Sequence, residues 1–198
     1  MNGYTIALFL HILGVVALFA GIALHQSGAA RLRAATTVEE VRLWLGFLRP
    51  AAGLFPVAVV VLLGSGLYMM SRAWSLGTPF VAVGLTTVVL MAAVGASVLR
   101  SRFEAIGRAS AEVGDGPIPP QIDRMVASPV TWVVLSAING ATLGVVWVMT
   151  NKPGWAAAPA IVAALAAVGG GVGAYLAGRR TGQRSGARPA RLDPTKTA

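Results

Sequence analysis

Five apolar runs divide the chain, separated in turn by basic stretches and short neutral turns. The runs are roughly Tyr4–Leu24, Ala51–Met70, Pro79–Leu99, Pro129–Thr150 and Trp155–Ala177, and none contains Asp, Glu, Lys or Arg. About 20 apolar residues carry a helix across a bilayer core of ~30 Å, so each run predicts one membrane-spanning helix. The expected fold class is all-α, a polytopic membrane helical bundle of five transmembrane helices, with spans one to four as a core and the fifth added. Residues 1–178 form one integral membrane domain. Residues 179–198, rich in Arg, Gly, Pro and Ser, cannot bury enough apolar surface to fold and are expected to be a disordered, basic cytoplasmic tail.

The polar positions between the runs set the orientation. Fourteen of the 16 Lys and Arg lie in the first connection, the third connection and the C-terminal tail, and the other two are Arg72 and Lys152 in the second and fourth connections. Basic residues accumulate on the cytoplasmic side, and an odd number of spans with the N-terminus out and the C-terminus in places all three basic segments there. The first run is not a secretory signal, because Arg31 and Arg33 follow it and nothing basic precedes it. The expected location is the bacterial cytoplasmic (inner) membrane, multi-pass.

Local patterns refine the elements. Thr36-Thr37-Val38-Glu39-Glu40 offers a capping box in either of two registers. Val38, Val41, Leu45 and Leu48 then recur at helical spacing, which fits a helix lying in the cytoplasmic interface or an extension of the second span. Pro50 stands where a new helix can begin. The third span continues past Arg102 and Phe103 until Gly114-Asp-Gly-Pro-Ile-Pro-Pro120 stops it. The fourth is expected to start near Gln121 and kink at Pro129. Trp74 and Trp155 mark the outer boundary, where amphipathic rings are favoured. In the last span Gly169, Gly173 and a Gly170–Ala174–Gly178 row make small faces suited to close helix packing, on the same bundle or on a homo-oligomer or partner subunit.

Composition narrows the chemistry. With 56% hydrophobic and 12% charged residues and a mean hydropathy of +0.71, the chain is too apolar for a soluble domain. Cysteine is absent, which removes disulfides, thiolate metal sites and cysteine nucleophiles together. The formal charge of +9 is accounted for by topology, so no nucleic acid partner is expected. The expected partners are the bilayer itself and anionic lipids at the cytoplasmic face.

Both histidines lie in the first run, and positions 11, 14, 18, 21 and 25 share one helical stripe of His, Gly, Leu, Gly, His. Measured at ~1.5 Å per residue from the outer end of each span, His11 lies about 10 Å deep. Ser65, Thr86, Thr87 and Thr142 reach similar depths, with Asn139 a turn deeper, and together they form a polar layer. Three readings compete for His11: a neutral hydrogen-bonded residue, an axial ligand of haem with Gly14 leaving room for the macrocycle, and a relay or small-solute path. The two histidines are about 21 Å apart along the axis, but no further histidine exists to complete paired haem sites. His25 reads as an interfacial residue. A His/Met copper site from His11 with Met69 or Met149 is a lesser alternative. No catalytic constellation is visible: Gly169–Gly173 lies inside a span, and no acid accompanies His11.

The segments Leu10-His11-Ile-Leu-Gly14-Val-Val, Arg49-Pro50 and Gly64-Ser-Gly66-Leu-Tyr-Met69 resemble a family of small bacterial predicted integral membrane proteins of unknown function. That family is similar in layout to CopD-like copper-resistance proteins and HemJ-type protoporphyrinogen oxidases, which share a first-helix histidine. The resemblance covers about the first 150 residues. It implies a four-helix core plus an added span, and b-type haem at His11 with Gly14 and Gly21 admitting the ring. The functional expectation is a haem-b-binding, redox-associated membrane protein. The alternative is a cofactor-free membrane interaction protein or accessory subunit, with a small-solute or copper transporter behind both.

Overall fold

A computed structural model of the protein describes residues 2–186, with side chains as far as Arg179. The described residues form helices and no strand: α1 (Gly3–Ala34), α2 (Val38–Ala73), α3 (Pro79–Val94), a π-helical turn (Gly95–Leu99), α4 (Arg100–Ala111), α5 (Pro120–Val126), α6 (Pro129–Asn151) and α7 (Ala157–Gly186). Among the described residues five helical stretches are long and apolar enough to cross a membrane, as the five runs predict. The last helix extends to Gly186, into the stretch expected to be a disordered tail. The rest of that tail lies outside the described residues.

The helices exceed what a bilayer needs. The 32 residues of α1 and the 36 of α2 are about 48 and 54 Å long, against a hydrocarbon core of ~30 Å. The surplus lies at the basic end, where it is packed like a water-soluble core. Leu32, Val41, Leu48, Ile106, Ile122 and Val126 cluster there, and Val41 has no exposure at all. Of the two readings of the Val38–Leu48 pattern, the extension of the second span is therefore the one found: no new helix begins at Pro50, and α2 runs unbroken through Pro50 and Pro56. Each proline removes one N–H bond; Val41 and Leu48 packed in the basic-end core on one side, and Ala58 and Leu62 packed on α1 on the other, hold both halves in line. On the other strand of the connection, α5 ends at Val126, Ala127 and Ser128 leave the helix, and α6 starts at Pro129, so the expected kink is a break.

The segment between α4 and α5 is bound to the α1–α2 turn. Val38 N–H donates to the Gly116 carbonyl at 2.9 Å, Ile118 N–H donates to Thr36 at 3.2 Å, and Gly116 N–H donates to the Glu39 carboxylate. Gly116 has φ of 129°, a region that side chains avoid. Arg42 reaches across to the Ser110 and Val113 carbonyls and to Asp115, so one guanidinium caps α4 and pins the turn beyond it. The capping box takes the Thr37–Glu40 register: Thr37 Oγ1 accepts from Glu40 N–H, and the Glu40 carboxylate reaches back one residue further, to Thr36 N–H at 2.7 Å, while the Glu39 carboxylate serves Gly116.

Across the membrane the most extensive helix pairs are α6 with α7 and α1 with α2, and α3 stands against α6. The fifth spanning helix is no loose addition. A Cβ built at Gly140 would fall on the Leu165 carbonyl, one at Gly169 would fall on the Ser136 carbonyl, and one at Gly173 would lie 2.5 Å from the Trp132 carbonyl. Gly169 and Gly173 are thus taken up by α6, while Ala174 and Gly178 of the neighbouring small row are exposed. Only backbones without side chains approach this closely, and in lipid such contact is a main source of helix association.

Candidate functional site

His11 projects from α1 onto α2, and Ser65 is its partner, with Nδ1 and Oγ 3.2 Å apart. The Ser65 hydroxyl proton goes to the Val61 carbonyl at 2.5 Å, so Oγ accepts from the ring. That assigns the proton to Nδ1 and leaves the Nε2 lone pair available. The ring lies over Gly66, where a Cβ would stand 3.4 Å from Cε1.

The glycines of the stripe serve the same helix pair. A Cβ at Gly14 would lie 2.9 Å from Leu62, and one at Gly21 would lie 3.5 Å from Phe55. Both positions are buried. The face beside Gly14 and Gly21, where room for a macrocycle was expected, is packed on α2. Among the described residues no group of three or more His, Cys, Asp or Glu is placed to hold a metal ion.

His25, expected at the cytoplasmic edge, is the more deeply buried histidine, at 4% exposure. Its Nδ1–H donates to the Gly21 carbonyl at 3.2 Å, and its ring meets Phe55 edge-on at 4.8 Å with Phe103 of α4 beyond. It joins α1 to α2 and α4 where the membrane part meets the basic-end core.

The polar layer does not form one cluster. His11 and Ser65 make one pair, and Thr142 on α6 with Met91 on α3 makes another, the hydroxyl 3.5 Å from sulfur. Thr142 also donates to the Ile138 carbonyl, and Thr87 donates to Val83. Asn139 is half-buried on α6 and joins neither pair. Thr86 is exposed and lines an apolar groove of about 520 Å³ between α3, α6 and α7. Met149 lies with its methyl group on Gly84, inside the α3–α6–α7 unit, so it makes no copper site with His11.

Sequence reasoning counted Arg33 only as a topological charge. It is 4% exposed, donates from Nη2 to the Ala177 carbonyl at 2.7 Å, and stands 5.8 Å from the centre of the Trp132 ring. The available signal was its register: Leu18, Ile22, Ala29 and Arg33 share one helical stripe, and the first three are buried.

Fold and site together define a multi-pass helical membrane protein built from two glycine-fitted helix pairs, with a packed extension at its basic end. Comparison with protein-family models, curated proteins and solved structures gives no match to this chain.

Proposed function

We propose that this is a cofactor-free accessory protein of the bacterial inner membrane, oriented N-out and C-in, that works by association and not by chemistry of its own. The observation that carries the reading is the closure of the glycine positions: Leu62 lies against Gly14, Phe55 against Gly21, and α7 backbone against Gly140 and Gly144. Beside each of these glycines the space is taken by a helix of the same chain. The purified protein from haem-replete cells should be colourless between 380 and 450 nm, roughly the window of haem absorption. A Soret band that disappears in His11→Ala would overturn the proposal.

One observation favours haem b at His11 as a second reading. A hydrogen bond at one ring nitrogen commonly orients the other toward a metal, and Ser65 does this for Nε2. This reading requires Leu62 to move from Gly14, so Leu62→Ala should raise haem retention if it is right.

The orientation has its own test, since the chain has no cysteine. A cysteine at Gly114, in the basic-end connection, should react with an impermeant maleimide only after the membrane is opened. Labelling from intact spheroplasts would reverse the topology. The anionic leaflet that this orientation gives the basic end agrees with the positive-inside rule and with Arg31, Arg49 and Arg108 exposed there.

A further inference from the structure

The groove between α3, α6 and α7 is a membrane-embedded surface that the proposed function leaves unused. Its α3 wall runs Ala82, Val83, Thr86, Thr87, Leu90, Met91, Val94, one continuous helical face. From Ala82 to Val94 is about 18 Å, close to the ~15 Å depth of one leaflet. It starts near Trp155 at the short-loop end and stops one residue before the π-helical turn.

Its length selects the occupant. The groove holds about 520 Å³ along a face about as long as one leaflet is deep, which matches one extended hydrocarbon chain. Apart from two threonines and the Trp155 ring at its mouth, the walls are Ala, Val, Leu, Ile, Met and Pro, so the site suits a chain and not a polar solute.

Charge at the mouth selects the headgroup. Among the described residues every Asp and Glu lies in the basic-end segments, and Arg72 and Lys152 stand at the short-loop end with no acid there. Lys152 is held in a left-handed turn at φ of 50°, with its ammonium 4.7 Å from the Trp74 ring and 5.8 Å from Phe80. It shares its loop with Trp155, which lines the groove. We infer that this groove binds one acyl chain of an anionic glycerophospholipid from the short-loop leaflet, with the phosphate beside Lys152.

Brominated lipids test this, because bromine quenches tryptophan on contact. The full-length protein is placed in phosphatidylcholine vesicles containing a rising fraction of phosphatidylglycerol brominated in mid-chain, and the Trp155 signal is taken as the difference from Trp155→Phe. Quenching should saturate at a low mole fraction, while the same lipid as phosphatidylcholine should require several-fold more. Ala163→Phe and Thr86→Phe fill the groove from opposite walls at exposed positions, and either should convert saturation to a linear dependence. Lys152→Gln should raise the half-saturating fraction several-fold. A linear dependence in the unaltered protein means ordinary boundary lipid and overturns the inference, as does saturation unaffected by both groove-filling variants. An unchanged Lys152→Gln curve removes the assigned headgroup contact. Absence of quenching by either lipid means that a protein covers the groove, a second copy or another chain, and also overturns it.

Discussion

Gly140→Leu is expected to separate α6 from α7 and to cost at least about 3 kcal/mol, the upper end of ordinary overpacking. The reason is what the new side chain would meet. A Cβ there falls on the Leu165 carbonyl, and the next nearest atoms are also α7 backbone. A flexible side chain can turn away, but a helix backbone can yield only by moving the whole helix. Gly144, Gly169 and Gly173 meet main-chain atoms across the same contact, so a shift that relieves one position opens the others. The control is Gly171→Leu on the opposite face, where nothing stands within 4 Å. That change should stay within about 0.5 kcal/mol. Thermal unfolding in mild detergent, with proteolysis of the Asn151–Gly154 loop as a local readout, measures both. Equal stability of the two variants would mean that α6 and α7 do not pack as described.

The second large effect is expected at Arg33. Replacing it with methionine keeps much of the apolar stem but removes the bond to the Ala177 carbonyl and the contact with Trp132. A hydrogen bond from a charged group contributes about 1.5–3 kcal/mol, and a desolvated cation–π contact about 0.5–2. The expected loss is therefore about 2–5 kcal/mol, localised where α1 meets the far ends of α6 and α7. Arg33→Lys should recover only part, since an ammonium lacks the planar fork that serves carbonyl and ring together. Arg31→Met is the matched control: its guanidinium stands 5.8 Å from the Trp44 ring but is exposed, and its loss should cost under about 1 kcal/mol. Denaturant unfolding gives the free energies, and amide exchange near Ala177 localises them. If Arg33→Met and Arg31→Met behave alike, Arg33 is a topological charge and nothing more.

Parts of the candidate site were legible from residue spacing. Depth counting brought His11 and Ser65 to one level, and they are hydrogen-bonded. It brought Thr87 and Thr142 to that level as well, yet these belong to a different helix group. Depth along a helix follows from 1.5 Å per residue, but the direction a residue faces depends on which helix stands beside it. The two histidines show the same limit. Polar neighbours Gln26 and Ser27 pointed to the cytoplasmic edge for His25 but not to its burial, which Phe55 and Phe103, distant in sequence, supply. Gly14 and Gly21 were correctly placed on the histidine stripe, but a glycine announces only that something comes close. Leu62 and Phe55 identify what does.

The five crossings and the grouping of basic residues at one end were determined by the sequence alone, because the penalty for charge in hydrocarbon acts on each segment independently of its neighbours. The helix ends were legible only in part: hydropathy gave Ala51–Met70, and the pattern from Val38 left open a separate interfacial helix or an extension of the span, where the helix is Val38–Ala73. The added turns are fixed by Val41, Ile106 and Ile122 meeting in the basic-end core, a contact among residues far apart in the chain. Which helices pair was also decided only in three dimensions. In water an amphipathic pattern marks the inward face of a helix, but in lipid the inward and outward faces are both apolar, and partner choice passes to fine surface shape. Gly140 against Leu165, and Gly14 against Leu62, are where that shape acts.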